Sequence, residues 1–386
     1  MPRYVEALCQ EIEVAGQHWR LLRVPTVYLG GGTPSLLPLE LLARLIHVLR
    51  STFRTSAHPE ITMEANPGTI TLAYLKGVRT LGVNRLSLGV QSAHDAELEM
   101  LGRIHSWGDA VKAVGWARQA DFRNLSLDLI FGLPGQTVAS WQESLEAALD
   151  LQPEHLSLYD LSVEEGTPLA KRMARQDVPP VTDDCSAAMY ELAEEILARA
   201  GFFHYEISNW ARADDTLQAA GSTWWPGTDI PHPDPELSEE VSRYVCHHNL
   251  IYWRNQPWLG VGAGAHSWMT GAVLTKVSGQ RWTNTPHPRD YIATCNSAAG
   301  RWAPRHSVEE IDRRLEMGET MMLGLRLAEG VRAKRFERRF QEALATVFGD
   351  ELTELRDLGL LAWDGSVARL TRRGRLLGNQ VFMRFI

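Results

Sequence analysis

The chain has 386 residues, of which 44% are hydrophobic and 22% charged, and a formal net charge of −8. That is the balance of an ordinary globular protein with room for one large domain and a small one. The negative charge argues against broad nucleic-acid binding, no apolar run approaches the roughly 18 residues of a membrane span, and residues 1–6 lack the apolar core of a signal peptide. A cytoplasmic protein is expected. Four scattered cysteines, Cys9, Cys185, Cys246 and Cys295, fit a reducing compartment.

Val5, Leu8, Cys9 and Ile12 recur at i, i+3, i+4 and i+7, which predicts a helix over 4–14 with Cys9 in its buried stripe. A short apolar strand over 24–29 stops at Gly30, Gly31 and Gly32. Helices are then predicted over 36–49, 71–81, 109–119 and 141–149, alternating with strands over 60–64, 85–90, 124–130 and 155–161. This alternation predicts parallel strands with helical crossovers, hence an α/β fold with a partial β/α barrel over 1–212. The pattern opens on a crossover helix, so the first barrel strand is missing and a parallel edge is left uncovered. Residues 213–242 carry Gly221, Pro226, Gly227, Pro231, Pro233 and Pro235 among acidic residues and read as a loop-rich insertion. Residues 243–300 read as a barrel-closing segment. Residues 301–386 read as a small, mainly helical, winged-helix-like module. Its expected parts are helices over 307–327 and 333–348, a strand pair near 360–370 and a last helix from Thr371.

Polar groups recur where the strands end. Three glycines in Tyr28-Leu29-Gly30-Gly31-Gly32-Thr33-Pro34-Ser35 uncover backbone groups at a strand's carboxyl end, where such folds place their sites. Glu64 ends the next strand, Gln91 the third, and Asp128 lies on the fourth. Each alone reads equally well as a cap or a buried structural hydrogen bond; four around one mouth suit a polar cofactor. His58, His94 and His105 are isolated and read as surface or capping residues.

The order of these blocks resembles the oxygen-independent coproporphyrinogen III oxidase-like radical S-adenosylmethionine (SAM) proteins. Arg103 in Leu101-Gly102-Arg103-Ile104-His105-Ser106 and the run Glu154-His155-Leu156-Ser157-Leu158-Tyr159 fit the same pattern, as does Leu370-Thr371-Arg372-Arg373-Gly374-Arg375. The resemblance implies that Gly31, Gly32 and Thr33 meet the methionine end of SAM and that Glu64, Gln91, Arg103 and Asp128 contact the rest of it. An acidic group suits ribose hydroxyls and an arginine suits a carboxylate. It also implies a [4Fe–4S] cluster on a C-x3-C-x2-C loop, a spacing absent from this chain, so no residue is assigned to a cluster. The expectation is an N-terminally short sequence, with a cluster-free variant as the alternative.

Cys246-His247-His248-Asn249-Leu250-Ile251-Tyr252-Trp253 contains H-N-x-x-Y-W and precedes the glycine-rich run Leu259-Gly260-Val261-Gly262-Ala263-Gly264-Ala265-His266-Ser267. This pair resembles the heme chaperone (HemW) branch of the family. It implies heme as a ligand, respiratory heme proteins as acceptors, and homodimerisation as an assembly to test. His248 is the candidate heme ligand, since neutral imidazole commonly binds heme iron; Cys246 is an alternative thiolate, and His247 and His266 are weaker candidates. Seven of the 13 tryptophans lie between Trp210 and Trp282, a density that suits either a flat apolar pocket or packing of the barrel's closing side. The runner-up activity is oxidation of coproporphyrinogen III, if a cluster motif is restored; a third is a cluster-free SAM-binding protein.

Overall fold

The computed structural model describes residues 1–19, 23–175, 178, 180–213, 243–274, 278–297 and 305–386. Apart from Ala213, the insertion expected over 213–242 lies outside the described residues. The chain divides into two compact units, one of 28–36 with 61–245 and the other of 1–27 with 37–60 and 246–386.

The first unit is built on a seven-stranded sheet of order β1-β2-β3-β4-β5-β7-β6, formed by β1 (Arg23–Leu29), β2 (Arg54–Ala65), β3 (Arg85–Gln91), β4 (Leu125–Phe131), β5 (His155–Asp160), β6 (Phe202–Glu206) and β7 (Asn209–Arg212). Only the carboxyl ends of β1 and β2 belong to this unit. Strands β2 to β5 pair parallel, and β7 and β6 close the far edge antiparallel. Parallel neighbours require long crossovers, which the helices Leu72–Thr80, Trp107–Gln119 and Val138–Asp150 supply. Each crossover starts on a side-chain cap: Thr71, Ser106 and Thr137 accept the backbone N–H three residues on. Leu75 and Val78, Ala113 and Ala117, and Trp141 and Leu145 form the buried stripes of these helices. They cover Leu86, Leu88, Leu125, Leu127 and Leu129, none of which is exposed. The alternation read from the sequence is therefore the observed one, an α/β partial barrel. His105, expected to be a surface or capping residue, is instead buried, with Nε2 3.1 Å from the Val90 carbonyl, while Ser106 caps the helix that follows.

In the second unit the helix Pro2–Trp19 buries Val5, Leu8, Cys9 and Ile12 and packs on the helices Leu39–Thr52 and Pro288–Ser297. An antiparallel sheet of order β10-β9-β8 joins β8 (His266–Met269), β9 (Gly279–Asn284) and β10 (Arg305–Ile311). Strand β10 occupies the start of the helix expected over 307–327, which runs instead from Arg313 to Gly324 behind an Asp312 cap. Pairing of β10 along β9 overrides the helix preference of its glutamates. The helix expected over 333–348 is two, Ala333–Phe340 and Leu344–Asp357, separated where Gln341 turns left-handed at φ 54°. A small sheet of order β11-β13-β12, from β11 (Val331–Arg332), β12 (Leu361–Trp363) and β13 (Val367–Leu370), backs them. Phe336, Phe340, Phe348 and Phe385 form this mainly helical region's aromatic core. Among the described residues no helix is long and apolar enough to cross a membrane.

Candidate functional site

Strand parity builds the site. Along β3 and β4 every second residue is a leucine, a valine or, at the end of β4, Phe131, facing the crossover helices, so the intervening residues share the opposite face. Parallel register aligns Glu64, Ser87, Ser126 and His155 in one row across β2 to β5, and Gly89, Asp128 and Ser157 in the next. The face turned away from the apolar layer is thus lined with carboxylates, hydroxyls and an imidazole.

At the carboxyl ends of these strands lies a cleft of about 450 Å³ whose lining includes Gly32, Thr33, Glu64, Gln91, Arg103 and Asp128. Six of the seven positions matched to SAM contacts are therefore brought to one cavity. The seventh, Gly31, is tied to it, because its N–H donates to Glu64 Oε2 at 3.2 Å. Tyr28 donates its hydroxyl to the other Glu64 oxygen at 2.8 Å, so the carboxylate is held from β1 and from the glycine loop together. Gly31 and Gly32 adopt φ of +79° and +62°, a conformation that disfavours any side chain. Ser35 closes the loop behind them by bonding Thr69 at 2.6 Å and accepting the Asn66 N–H at 3.3 Å.

Gln91 sits on a β-bulge that pairs it with Leu129 in place of Val90, and its φ of 73° re-aims the strand end. Arg103 donates from Nη2 to the Gly89 carbonyl at 3.1 Å, while its buried Nε has no hydrogen-bond partner among the described residues. Burial also lowers the Arg103 pKa from its ordinary value. A Cβ on Gly89 would stand 2.9 Å from Gln91 Nε2 and 3.1 Å from Arg103 Nη2, so glycine there lets the guanidinium approach the backbone. Asp128 accepts from Ser87 at 2.8 Å and from Ser126 at 3.1 Å. Burial pushes its carboxyl up from the ordinary value, and the hydroxyls of Ser87, Ser157 and Ser126 oppose that rise. Tyr28, Ser87, Gly89 and Ser126 escaped the sequence reading, although the i, i+2 alternation of Ser87 with Gly89 and of Ser126 with Asp128 carried the signal.

His248 belongs to the other unit, on the helix His247–Trp253. Its Nδ1 lies 2.9 Å from Thr26 Oγ1 and its Nε2 3.2 Å from the Tyr252 hydroxyl, one helical turn on. Burial pushes its pKa down to about 4, against the opposing pull of Glu60, so the imidazole is neutral near pH 7. Glu60 accepts the N–H groups of His247 and His248, each at 3.0 Å, and the Cys246 thiol lies 3.7 Å from the same carboxylate. Tyr252 packs on Trp258 at 4.7 Å between ring centroids. Trp210, Trp268 and Trp282 are buried core residues, and Trp224 and Trp225 lie outside the described residues.

The radical SAM superfamily is matched over residues 5–148 and the HemN C-terminal domain over 311–377. Over nearly its whole length the chain is similar to the heme chaperone HemW of Lactococcus lactis, at 31% identity over 383 residues, covering 99% of this chain and 89% of that protein. It is 35% identical to HemW of Bacillus subtilis over 364 residues, covering 94% and 85%. The chain belongs to the HemW family. Its fold is that of coproporphyrinogen III oxidase (HemN) from Escherichia coli, with a TM-score of 0.77 at 24% identity, covering 100% of this chain and 82% of that one.

Membership of the radical SAM superfamily implies SAM and a [4Fe–4S] cluster. The cleft fits SAM: it offers backbone and carboxylate acceptors and the partnerless Arg103 Nε. The residues present do not fit the cluster. Among the described residues no three His, Cys, Asp or Glu side chains gather to hold a metal, and Cys9 and Cys246 are buried thiols within the apolar core.

Proposed function

We propose that this chain is a heme chaperone, which binds heme and passes it to respiratory heme proteins. What carries the reading is its near full-length similarity to two proteins named heme chaperones. His248 is the heme-interacting residue in this proposal. A neutral imidazole is the form that binds iron, and Thr26 on Nδ1 is the outer hydrogen bond that orients such a ligand. Nε2, whose bond to Tyr252 is the longer of the two, is then the nitrogen that turns to iron.

The strand-end cleft holds SAM in this proposal. The backbone of Gly31, Gly32 and Thr33 meets the methionine end, Arg103 takes the carboxylate, Glu64 and Asp128 accept hydroxyl hydrogens, and Gln91 lines the remaining wall. Bound SAM supplies a sulfonium cation, which suits a cleft lined by the three carboxyl groups of Glu64, Asp128 and Asp160. A cytoplasmic location and a homodimeric assembly complete the proposal. The likeness to coproporphyrinogen III oxidase is one of fold and carries no reading of activity.

The test is a hemin titration of the full chain followed by its Soret band. A saturable Soret shift, weakened or displaced in His248→Ala, is expected. No saturable binding by the wild-type chain would refute the chaperone reading; an unchanged spectrum and affinity in the variant would refute the role of His248.

A further inference from the structure

The hydrogen bonding of Asp128 continues below the cleft. Ser126 donates to Asp128 Oδ1 at 3.1 Å, the same Ser126 oxygen lies 2.8 Å from His155 Nδ1, and His155 Nε2 lies 2.9 Å from the Tyr205 hydroxyl. Ser126, His155 and Tyr205 are all buried. The direction of this chain follows from valence. Ser126 donates its one hydrogen to Asp128, so it has none left to give His155. The bond to His155 then needs an N–H at Nδ1. A neutral imidazole has only one such hydrogen, which leaves Nε2 bare to accept from Tyr205. Burial and the nearby Arg85 keep His155 neutral, well below its ordinary pKa. Every hydrogen in the run Tyr205, His155, Ser126, Asp128 therefore points the same way, and bonds aligned in this manner polarise one another.

We infer that His155 and Tyr205 are positioning residues that hold Asp128, through Ser126, as an ionised carboxylate ready to accept hydroxyl hydrogens from a bound ligand. The inference rests on the reading of this cleft as the SAM site. The other groups facing Asp128 are Glu64 from β2, whose charge opposes ionisation, Ser87 from β3, which donates to it, Ser157 from β5, whose hydroxyl favours the ionised form and lies 3.2 Å from that of Ser126, and Arg103 across the cleft. Arg85, beside His155, is itself held by Asn124 at 2.6 Å and the Tyr244 carbonyl at 3.0 Å.

Donated hydrogens stabilise the charged carboxylate, so cutting the chain at its far end raises the pKa of Asp128. The experiment is an infrared pH titration of the ligand-free full chain, reading the protonated-carboxyl band that disappears in Asp128→Asn. Tyr205→Phe keeps the ring and should move the midpoint up by about one pH unit, while His155→Gln, which keeps a donor toward Ser126, should stay closer to wild type than His155→Leu. Calorimetric SAM binding should be lost, as pH falls, at a midpoint raised by the same amount in Tyr205→Phe. An unmoved infrared midpoint in both Tyr205→Phe and His155→Leu overturns the inference. Absence of SAM binding in the wild type at every pH overturns the SAM reading instead, and the infrared shift still decides the role of the chain.

Discussion

Glu60 accepts the backbone N–H of His248 at 3.0 Å across 188 residues of sequence, so a carboxylate at the middle of β2 caps the helix that carries the candidate heme residue. The side chain of Cys246, at the cap position itself, does not bond the helix backbone, and the helix is too short to persist unaided. Anionic caps favour helix amino termini both by hydrogen bonding and by their charge. Glu60→Ala should therefore cost about 1–2 kcal/mol and disturb hemin binding without removing His248. Urea unfolding and a hemin titration on the same preparation check this, with Glu60→Gln expected to lose less because one acceptor survives.

His248 makes stability depend on pH with a definite sign. In the folded chain it stays neutral down to about pH 4, whereas an unfolded histidine takes up its proton near pH 6.5. Between those values the unfolded state binds more protons, so His248 weakens the fold as pH falls through that window. His248→Asn should flatten this acid limb relative to wild type. Unfolding midpoints at pH 7 and pH 5 measure the difference, and a parallel loss in both proteins would contradict it.

Gly89 tests the cleft without replacing any of its polar side chains. A methyl there meets the flexible ends of Gln91 and Arg103, so the fold should survive with a loss of about 1 kcal/mol or less while Arg103 is pushed off the Gly89 carbonyl. Gly89→Ala should weaken SAM binding by about tenfold, the effect of misplacing one charge-assisted contact. Calorimetry at fixed pH is the measurement, with thermal unfolding as the control for folding.

Glu11 ties the glycine-rich loop after H-N-x-x-Y-W to the first helix. Its buried carboxylate accepts the Gly262 N–H at 2.9 Å, Asn284 Nδ2 at 2.6 Å and the Tyr291 hydroxyl at 2.5 Å. Glu11→Met takes the shared acceptor from three donors, of which Asn284 keeps its bond to the Gly262 carbonyl, and should cost about 3 kcal/mol, against about 1 kcal/mol for Tyr291→Phe. Because both residues act in one network, the double variant should cost measurably less than the sum of the two, which a thermal double-mutant cycle would show.

How much of this was legible depends on which physical signal each residue leaves. Glu64, Gln91 and Asp128 interrupt or end apolar runs, and their convergence follows from the rule that parallel strands open their sites at the carboxyl ends. Ser87 and Ser126 were invisible as partners of Asp128 because hydroxyls are ordinary in strands and inter-strand register is not written in any one of them. Glu11 carries no local signal of its role, since its three donors come from segments more than 250 residues away. Glu60 reads as an ordinary strand residue for the same reason. Strand β10 was misread because Glu309 and Glu310 favour helices locally, and only pairing with Arg281 and Gln280 reverses that preference.

The two-sided character of β4 sets a rule on how its gene can vary. Leu125, Leu127 and Leu129 serve the helices, while Ser126 and Asp128 serve the cleft. Gaining or losing one residue ahead of Ser126 would exchange the two faces, presenting leucines to the cleft and a carboxylate to the apolar layer. Individual letters in this segment can drift where volume and polarity are kept, but its spacing cannot. Insertions and deletions should be selected against here even among descendants whose identity to this chain has largely faded.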